Sequence, residues 1–274
     1  MNIVIVGYGK MGRMIEALAS GRGHRLVAAV DPFAESDKTG SGAILVKSIA
    51  DLDGIERDID CAIEFTRPDT AAANILALAE RRIPVVAGTT GWHERLAEAS
   101  AAVNNAGSSL LWASNFSLGV NLFYRICWHA AELMDSFPEY DPGGFESHHN
   151  RKIDSPSGTA KTLVEGILKR MKRKTKPVWN MLDRPPEPDE LHFASLRLGA
   201  VPGEHSLIFD SSADSIEIRH SARNREGLAT GALISAEWLA GSGLRRSGVF
   251  TFDDVLEERF NARNGGGGIW PTSK

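Results

Sequence analysis

Between Glu146 and Ala160 the chain reads Glu-Ser-His-His-Asn-Arg-Lys-Ile-Asp-Ser-Pro-Ser-Gly-Thr-Ala, a run that concentrates titratable side chains just ahead of a helix start. His148 and Lys152 can each deliver a proton near neutral pH once their surroundings tune them. Ser155, Pro156 and Ser157 are helix-start residue types, so the amides of Ser157, Gly158 and Thr159 are expected to form a helix N-terminus that favours a carboxylate. Cations, a hydroxyl and amides in one segment suit a small anionic substrate, because charge-assisted hydrogen bonds hold carboxylates best. His148 and His149 are also metal-ligand types. No third and fourth ligand follows them at conventional spacing, so no metal is expected.

A second constellation opens the chain. Gly7-Tyr8-Gly9-Lys10-Met11-Gly12 follows the apolar run Ile3–Val6 and precedes a helix-period segment, the strand-turn-helix context of a dinucleotide fingerprint. In that pattern the first glycine permits the tight turn, the second lets backbone approach a pyrophosphate, and the third lets helix and strand pack closely. Phosphates then sit on the unpaired amides of the helix start. Asp31 ends the next strand-like run, where its carboxylate would accept hydrogen bonds from ribose hydroxyls and repel a 2′-phosphate. NADH is therefore favoured over NADPH, with Arg22, Arg25 and Lys38 the cations available to offset that repulsion.

These residues need elements to carry them. From Met1 to about Ala113, buried-strand patterns (Ile3–Val6, Leu26–Val30, Cys61–Phe65, Val85–Ala87, Leu110–Trp112) alternate with helix-period segments (Met11–Ser20, Asp69–Arg81, His93–Asn104). Right-handed crossovers make this a doubly wound parallel sheet of the α/β class. Leu118–Met134 reads as one helix with an inward stripe of Leu118, Leu122, Phe123, Ile126, Ala130 and Leu133. Pro142-Gly143-Gly144 reads as a break, about Ser157 to Lys172 as a helix, and Pro177–Pro188 as a loop. Leu191–Leu198, Ser206–Phe209 and Ile216–His220 look like strands without intervening helices, which predicts a mainly antiparallel sheet in a second, α+β domain. A last helix is expected over Gly231–Leu239, followed by a mobile Gly265–Gly268 and a disordered Ile269-Trp270-Pro271 tail. The domain boundaries predicted are 1–115 plus about 231–274 for dinucleotide binding, and 116–230 for substrate binding and oligomerisation.

Composition narrows the class. The 274 residues are 42% apolar and 24% charged, close to an ordinary globular protein. A net charge of −4 gives no general attraction to nucleic acid or to an anionic membrane, and the basic run Lys169–Lys176 reads as a solvated helix end. No apolar run approaches the ~20 residues that span a bilayer. Cys61 and Cys127 sit among apolar neighbours, as buried reduced thiols do. With no leader-like segment ahead of Ile3, the expected location is the cytoplasm.

Taken together, the motifs resemble the dihydrodipicolinate reductases of lysine and diaminopimelate biosynthesis, over nearly the whole chain. The resemblance rests on Gly7–Gly12, Phe65-Thr66-Arg67-Pro68, Gly88-Thr89-Thr90-Gly91, Asn115-Phe116-Ser117-Leu118-Gly119-Val120-Asn121 and His148–Ala160, with Gly203-Glu204-His205 and His220–Gly231 behind them. It implies a Rossmann domain and NAD(P)H-dependent reduction of 4-hydroxy-tetrahydrodipicolinate to tetrahydrodipicolinate, with loss of water, hydride to C4 and a proton to C3. By carry-over His148 is the acid-base residue and Lys152 the second proton donor, while His149, Gly158 and Thr159 bind the dicarboxylate substrate. Tyr8, Lys10, Met11, Phe65, Gly88, Thr89, Thr90, Ala113, Ser114, Asn115 and Phe116 join the glycine loop and Asp31 in holding the cofactor. A homotetramer built through the second domain is implied, and a hinge is expected at Asn115-Phe116 and near Gly231. Where relatives that use both cofactors often carry arginine, Pro32 follows Asp31. The alternatives are another nicotinamide-dependent oxidoreductase of an amino or imino dicarboxylic acid, or a non-catalytic dinucleotide sensor that would tolerate loss of His148 and Lys152.

Overall fold

The computed structural model describes residues 1–55, 58–179, 181–241 and 246–263, so the expectations for Gly265–Gly268 and Ile269–Pro271 lie outside the described residues. The chain divides into two compact units, one of Met1–Phe116 with the chain from Leu228 onward, the other Ser117–Gly227.

In the first unit β1 (Asn2–Val6), β2 (Arg25–Val30), β3 (Ile44–Val46), β4 (Cys61–Glu64), β5 (Val85–Ala87), β6 (Ser109–Trp112) and β12 (Gly248–Thr251) form one sheet in the order β12-β6-β5-β4-β1-β2-β3. Every pairing in it is parallel. Near-continuous apolar runs such as Ile3–Val6 are what a strand buried on both faces requires. Alternate residues of β1 serve the two faces. Val4 and Val6 join the cluster built with α2 (Pro68–Glu80) and α3 (Leu96–Asn105), while Ile5 meets Gly12 of α1 (Lys10–Ala19). Strand order reverses between β1 and β4, so the loops leaving their carboxyl ends part to form a crevice, the usual ligand site of such sheets. The three-residue β3, the edge strand β12 and α7 (Phe252–Arg263) carry no pattern strong enough to be predicted from the sequence.

The second unit holds β7 (Asp141–His148), β8 (Lys176–Val178), β9 (Glu190–Arg197), β10 (Glu204–Asp210) and β11 (Ser215–Ser221) in the order β11-β10-β7-β9-β8. The ladders β11-β10 and β10-β7 are antiparallel, while β7-β9 and β9-β8 are parallel, so the sheet is mixed. The parallel half arises because α5 (Gly158–Leu168) crosses back after β7. Pro142-Gly143-Gly144 lies within β7 and is no break: Gly144 has no room for a side chain, since Ser206 O and the Phe193 ring stand 2.5 and 2.6 Å from where its Cβ would be.

Helix α4 (Leu118–Met134) has the predicted bounds but a different buried face. Val120, Phe123, Tyr124, Cys127 and Ala131 are buried, whereas Ile126 and Leu133 are half exposed. A helix apolar on most sides has no single stripe that period alone can select, and packing decides. Here the decision is made at Gly166 of α5, on which Trp128 rests so closely that a Cβ would lie 2.0 Å from its indole nitrogen. Helix α6 (Glu226–Ala240) begins five residues before the predicted Gly231, and Gly231 itself must be glycine because Phe116 O would lie 1.7 Å from its Cβ. Cys61 and Cys127 are buried free thiols. No described helix is long and apolar enough to cross a membrane.

Candidate active site

Because all strands of the first sheet run the same way, the loops after β1, β2, β4, β5 and β6 gather at one edge, and with them Gly7–Gly12, Asp31, Phe65, Gly88–Thr90 and Ala113–Phe116. The three glycines are there for different reasons. Gly7 has φ +94°, and a Cβ on it would stand 2.1 Å from Phe65 O; one on Gly12 would stand 2.3 Å from Gly7 O. Gly9 has nothing within 4 Å of its Cβ direction, so the fold does not demand glycine there. Backbone laid bare at a helix N-terminus is what an approaching pyrophosphate uses. Beside it a cleft of about 820 Å³ is lined by Tyr8, Arg13, Asp31, Phe33, Lys38 and Gly40, among others. The Asp31 carboxylate is fixed at this cleft by the amides of Tyr8 (3.0 Å) and Phe33 (2.9 Å). These residues fit a dinucleotide.

Nearer the other loops, the Phe65 ring lies directly on Gly88, where a Cβ would be 2.1 Å from it, and the Thr66 amide donates to the Thr89 hydroxyl at 2.7 Å. Glu64, fully buried, accepts from the Thr66 amide (3.1 Å) and hydroxyl. Burial pushes its carboxyl above the usual range against the pull of hydrogen bonds from Thr66, Thr89 and Asn74, and its Oε2 has no hydrogen-bond partner.

In the second unit His148 ends β7 and is buried, with its ring edge-on to His205 of β10 at 5.3 Å between centroids. Two residues back along the strand, and therefore on the same face, Glu146 is fully buried. Its Oε1 accepts from the Ser157 amide (3.0 Å), Ser195 Oγ (2.9 Å) and Arg197 Nη2 (3.1 Å). Its Oε2 accepts from Ser157 Oγ and lies 3.4 Å from His205 Nε2 and 3.5 Å from His148 Nδ1. Desolvation opposes its charge, but hydrogen bonds from His205, Ser157 and Ser195 win and hold its carboxyl well below the usual range. His148 is lowered to about 4: burial leads, Glu146 works the other way, and His205, Lys152 and Arg197 add to the depression. Ser157 caps α5 by accepting from the Ala160 amide (3.1 Å). Gly158 and Thr159 open the first turn of the helix, whose amides point out of its N-terminus. Lys152 pairs with Asp154 at 2.7 Å, and the His149 carbonyl accepts from the Lys152 amide at 3.1 Å.

Models of the dihydrodipicolinate reductase N-terminus and C-terminus match residues 1–116 and 119–256. The chain belongs to the dihydrodipicolinate reductase family. It is 40% identical over 260 residues to the 4-hydroxy-tetrahydrodipicolinate reductase of Christiangramia forsetii (95% of this chain, 99% of the relative) and 37% identical to that of Chromobacterium violaceum (93% and 98%). In fold it is similar to a dipicolinate-bound dihydrodipicolinate reductase from Paenisporosarcina sp. TG-14, with a TM-score of 0.71 at 20% identity over 92% of this chain and 97% of that one. An amine dehydrogenase from Mycobacterium smegmatis shares the fold at a TM-score of 0.60 and 11% identity, covering 92% and 95%. The dihydrodipicolinate reductases are nicotinamide-dinucleotide-dependent enzymes.

Against the family motifs, the structure adds residues that the sequence reading left without a role: Glu146, Ser195, Arg197 and His205. Glu146 is legible once its segment is read as a strand, since i and i+2 share a face. Arg197 and His205 arrive from β9 and β10, and nothing in their spacing announces it. Glu146, His148 and His205 bring three ligand-type atoms within 4.8 Å, so a third partner for the histidine does exist, supplied through the fold and not at local spacing. The carboxylate of that group is already taken by the hydroxyls of Ser157 and Ser195, the guanidinium of Arg197 and an amide.

Proposed function

We propose that this protein reduces 4-hydroxy-tetrahydrodipicolinate to tetrahydrodipicolinate with NADH or NADPH, the first unit binding the dinucleotide and the second the substrate. The observation that carries the reading is Glu146, through which a buried imidazole and the capped N-terminus of α5 share one carboxylate, bringing a proton-carrying group and an anion-binding turn together. Gly7–Gly12, Tyr8, Lys10, Met11 and Asp31 hold the pyrophosphate and adenosine ribose. Phe65, Gly88, Thr89, Thr90 and Ala113–Phe116 line the nicotinamide end. When bound, the cofactor supplies the hydride that C4 of the ring accepts once the C4 hydroxyl has left as water.

The chain's own residues do the rest. The amides of Gly158 and Thr159, with His149, hold the substrate carboxylates through helix-dipole and charge-assisted bonds. His148 is neutral at pH 7 in the free protein. A dicarboxylate beside it counters Lys152 and Arg197 and raises its proton affinity toward the working range, so that His148 and Lys152 move the protons at C3 and the departing hydroxyl. Asp31 at the ribose position favours NADH; of the cations named as offsets, Arg22 is engaged by Glu237 at 2.8 Å, and Lys38 shares the cleft with Asp31. The enzyme works in the cytoplasm as a homotetramer joined through the second unit's sheet. Behind the core residues Leu191, Phe193, Leu207 and Phe209, the alternating His192, Ala194, Leu196 and Ile208 form the opposite face, with Leu196 half exposed.

The test is a coupled assay in which aspartate semialdehyde, pyruvate and the preceding synthase generate the substrate while NADH or NADPH absorbance is followed. Synthase-dependent oxidation is expected, with His148→Gln and Lys152→Ala each lowering turnover by roughly 10²–10⁴ while nucleotide affinity stays within about twofold. Absence of synthase dependence removes the substrate, and wild-type turnover in both variants removes the roles.

A further inference from the structure

Glu146 is the point at which five side chains from four parts of the second unit meet. One carboxylate takes bonds or close ionic contact from its own strand (His148), the turn before α5 (Ser157), two positions of β9 (Ser195 and Arg197) and β10 (His205). A buried carboxylate is costly unless its lone pairs are filled, and here they are. Two of those contacts face the proposed chemistry. The Ser157 hydroxyl must donate to Glu146 if its lone pair is to face the Ala160 amide, so Glu146 orients the cap that sets the first turn of α5. The Nδ1 of His148 is buried, has no hydrogen-bond partner, and lies nearest to Glu146 Oε2. An anionic neighbour favours the tautomer with its proton on Nδ1, which leaves the lone pair on Nε2. That nitrogen lies beside Gly203, only 3.1 Å from where a Cβ would be.

We propose that Glu146 is the positioning residue of this site, fixing the tautomer of His148 and the carboxylate-binding turn of α5 with a single charge. It touches neither substrate nor cofactor and acts through His148 and Ser157. The inference rests on the proposed function and extends it: His148 is set by Glu146 from its own strand, His205 from β10, Arg197 from β9 and Lys152 from the connecting loop, and of these only Glu146 is negative.

Glu146→Gln keeps the shape and removes the charge; Glu146→Asp keeps the charge and shortens the arm. With pyridine-2,6-dicarboxylate as the probe, calorimetry is expected to show affinity reduced at least tenfold in both, because neither seats Ser157 as glutamate does. Nitrogen-15 chemical shifts of His148 at pH 7 are expected to show the Nδ1–H form in wild type and Glu146→Asp, and loss of its dominance in Glu146→Gln. In turnover, the pH limb of kcat belonging to His148 is expected to move down by about one unit in Glu146→Gln and to stay in place in Glu146→Asp, the usual scale for loss of one opposite charge at this range. A wild-type near-ultraviolet circular dichroism spectrum, to which the aromatic residues of the second unit contribute, is the check on folding. Should Glu146→Gln fail that check, Ser157→Ala is expected to lose dicarboxylate affinity with the His148 tautomer intact. Wild-type dicarboxylate affinity and an unmoved tautomer in Glu146→Gln, or wild-type affinity in Ser157→Ala, would overturn the proposal. If wild-type protein shows no synthase-dependent oxidation, the functional reading fails, and the dicarboxylate and tautomer measurements still decide the role of Glu146.

Discussion

Replacing each glycine of the phosphate loop by alanine separates what the fold needs from what the nucleotide needs. At Gly7 the added methyl would stand 2.1 Å from Phe65 O, 0.9 Å inside the 3.0 Å that real contacts respect, on a backbone at φ +94°. Overpacking costs about 1–3 kcal/mol and a left-handed non-glycine backbone about 1–3 more, a large share of the roughly 5–15 kcal/mol that holds a domain together. At Gly12 the contact to Gly7 O is 2.3 Å, but φ is ordinary and alanine gains about 1 kcal/mol of helix propensity, so the net loss is smaller. At Gly9 nothing lies within 4 Å and φ is −82°; the entropy gain of about 0.4–1 kcal/mol offsets a helix-cap loss of similar size. Urea unfolding is therefore expected to rank Gly7→Ala well below Gly12→Ala, with Gly9→Ala within about 0.5 kcal/mol of wild type. Isothermal calorimetry with NADH is expected to give the opposite lesson at Gly9: a Kd raised roughly 10–100-fold, which is about 1.4–2.8 kcal/mol of lost backbone approach. Wild-type NADH affinity in Gly9→Ala would refute the reasoning, since it would leave the one glycine of this loop that the fold does not require without a purpose.

Three other outcomes follow from the same geometry. Asp31→Ser is expected to raise the ratio of kcat/KM for NADPH over NADH by roughly tenfold and Lys38→Ala to lower it, as one charge facing the ribose is removed in each; a ratio unchanged in both rejects the adenosine site. Because burial raises the Glu64 carboxyl, the unfolded chain releases this proton at a lower pH than the folded protein, so stability falls as pH climbs from the ordinary glutamate value through the raised one. Glu64→Gln is expected to become progressively more stable relative to wild type in urea melts as pH rises above the ordinary glutamate range, and a pH-independent difference would contradict it. Ile208→Lys, on the sheet face away from the core, is expected to give a smaller species by light scattering, whereas an unaltered mass would move the assembly interface elsewhere.

The parallel sheet was legible because its strands are apolar on both faces, and five of them appear in the sequence as bounded runs such as Val85–Ala87. The glycine turn at its edge was legible for a related reason, since Gly7 and Gly12 answer a local steric demand. Two things were not. The face of α4 depended on a partner, Gly166 of α5, more than thirty positions away, and a helix apolar nearly all round gives no local preference between Ile126 and Cys127. The other was β7, whose Pro-Gly-Gly reads as punctuation, although Gly144 serves the packing of Phe193 across the sheet. Missing that strand concealed Glu146, because alternation is the only sequence signal that places Glu146 and His148 side by side.

Glu64 and Glu146 complete the argument by contrast. Both are fully buried, both stand at or near the end of a strand, and both accept bonds from a backbone amide and a hydroxyl. Yet their proton affinities move in opposite directions. Glu64 has only neutral donors, Thr66 among them, and one oxygen without a partner, so desolvation prevails and the neutral acid is favoured. Glu146 is held by His205 at 3.4 Å and by Ser157 and Ser195, and those bonds outweigh desolvation. The difference suits each place. Glu64, with its raised proton affinity, ties the Thr66 and Thr89 loops together beside the edge proposed to hold the dinucleotide. Glu146, held low, is the one group that raises the proton affinity of His148 against burial and its cationic neighbours, which suits the proton role proposed for that imidazole.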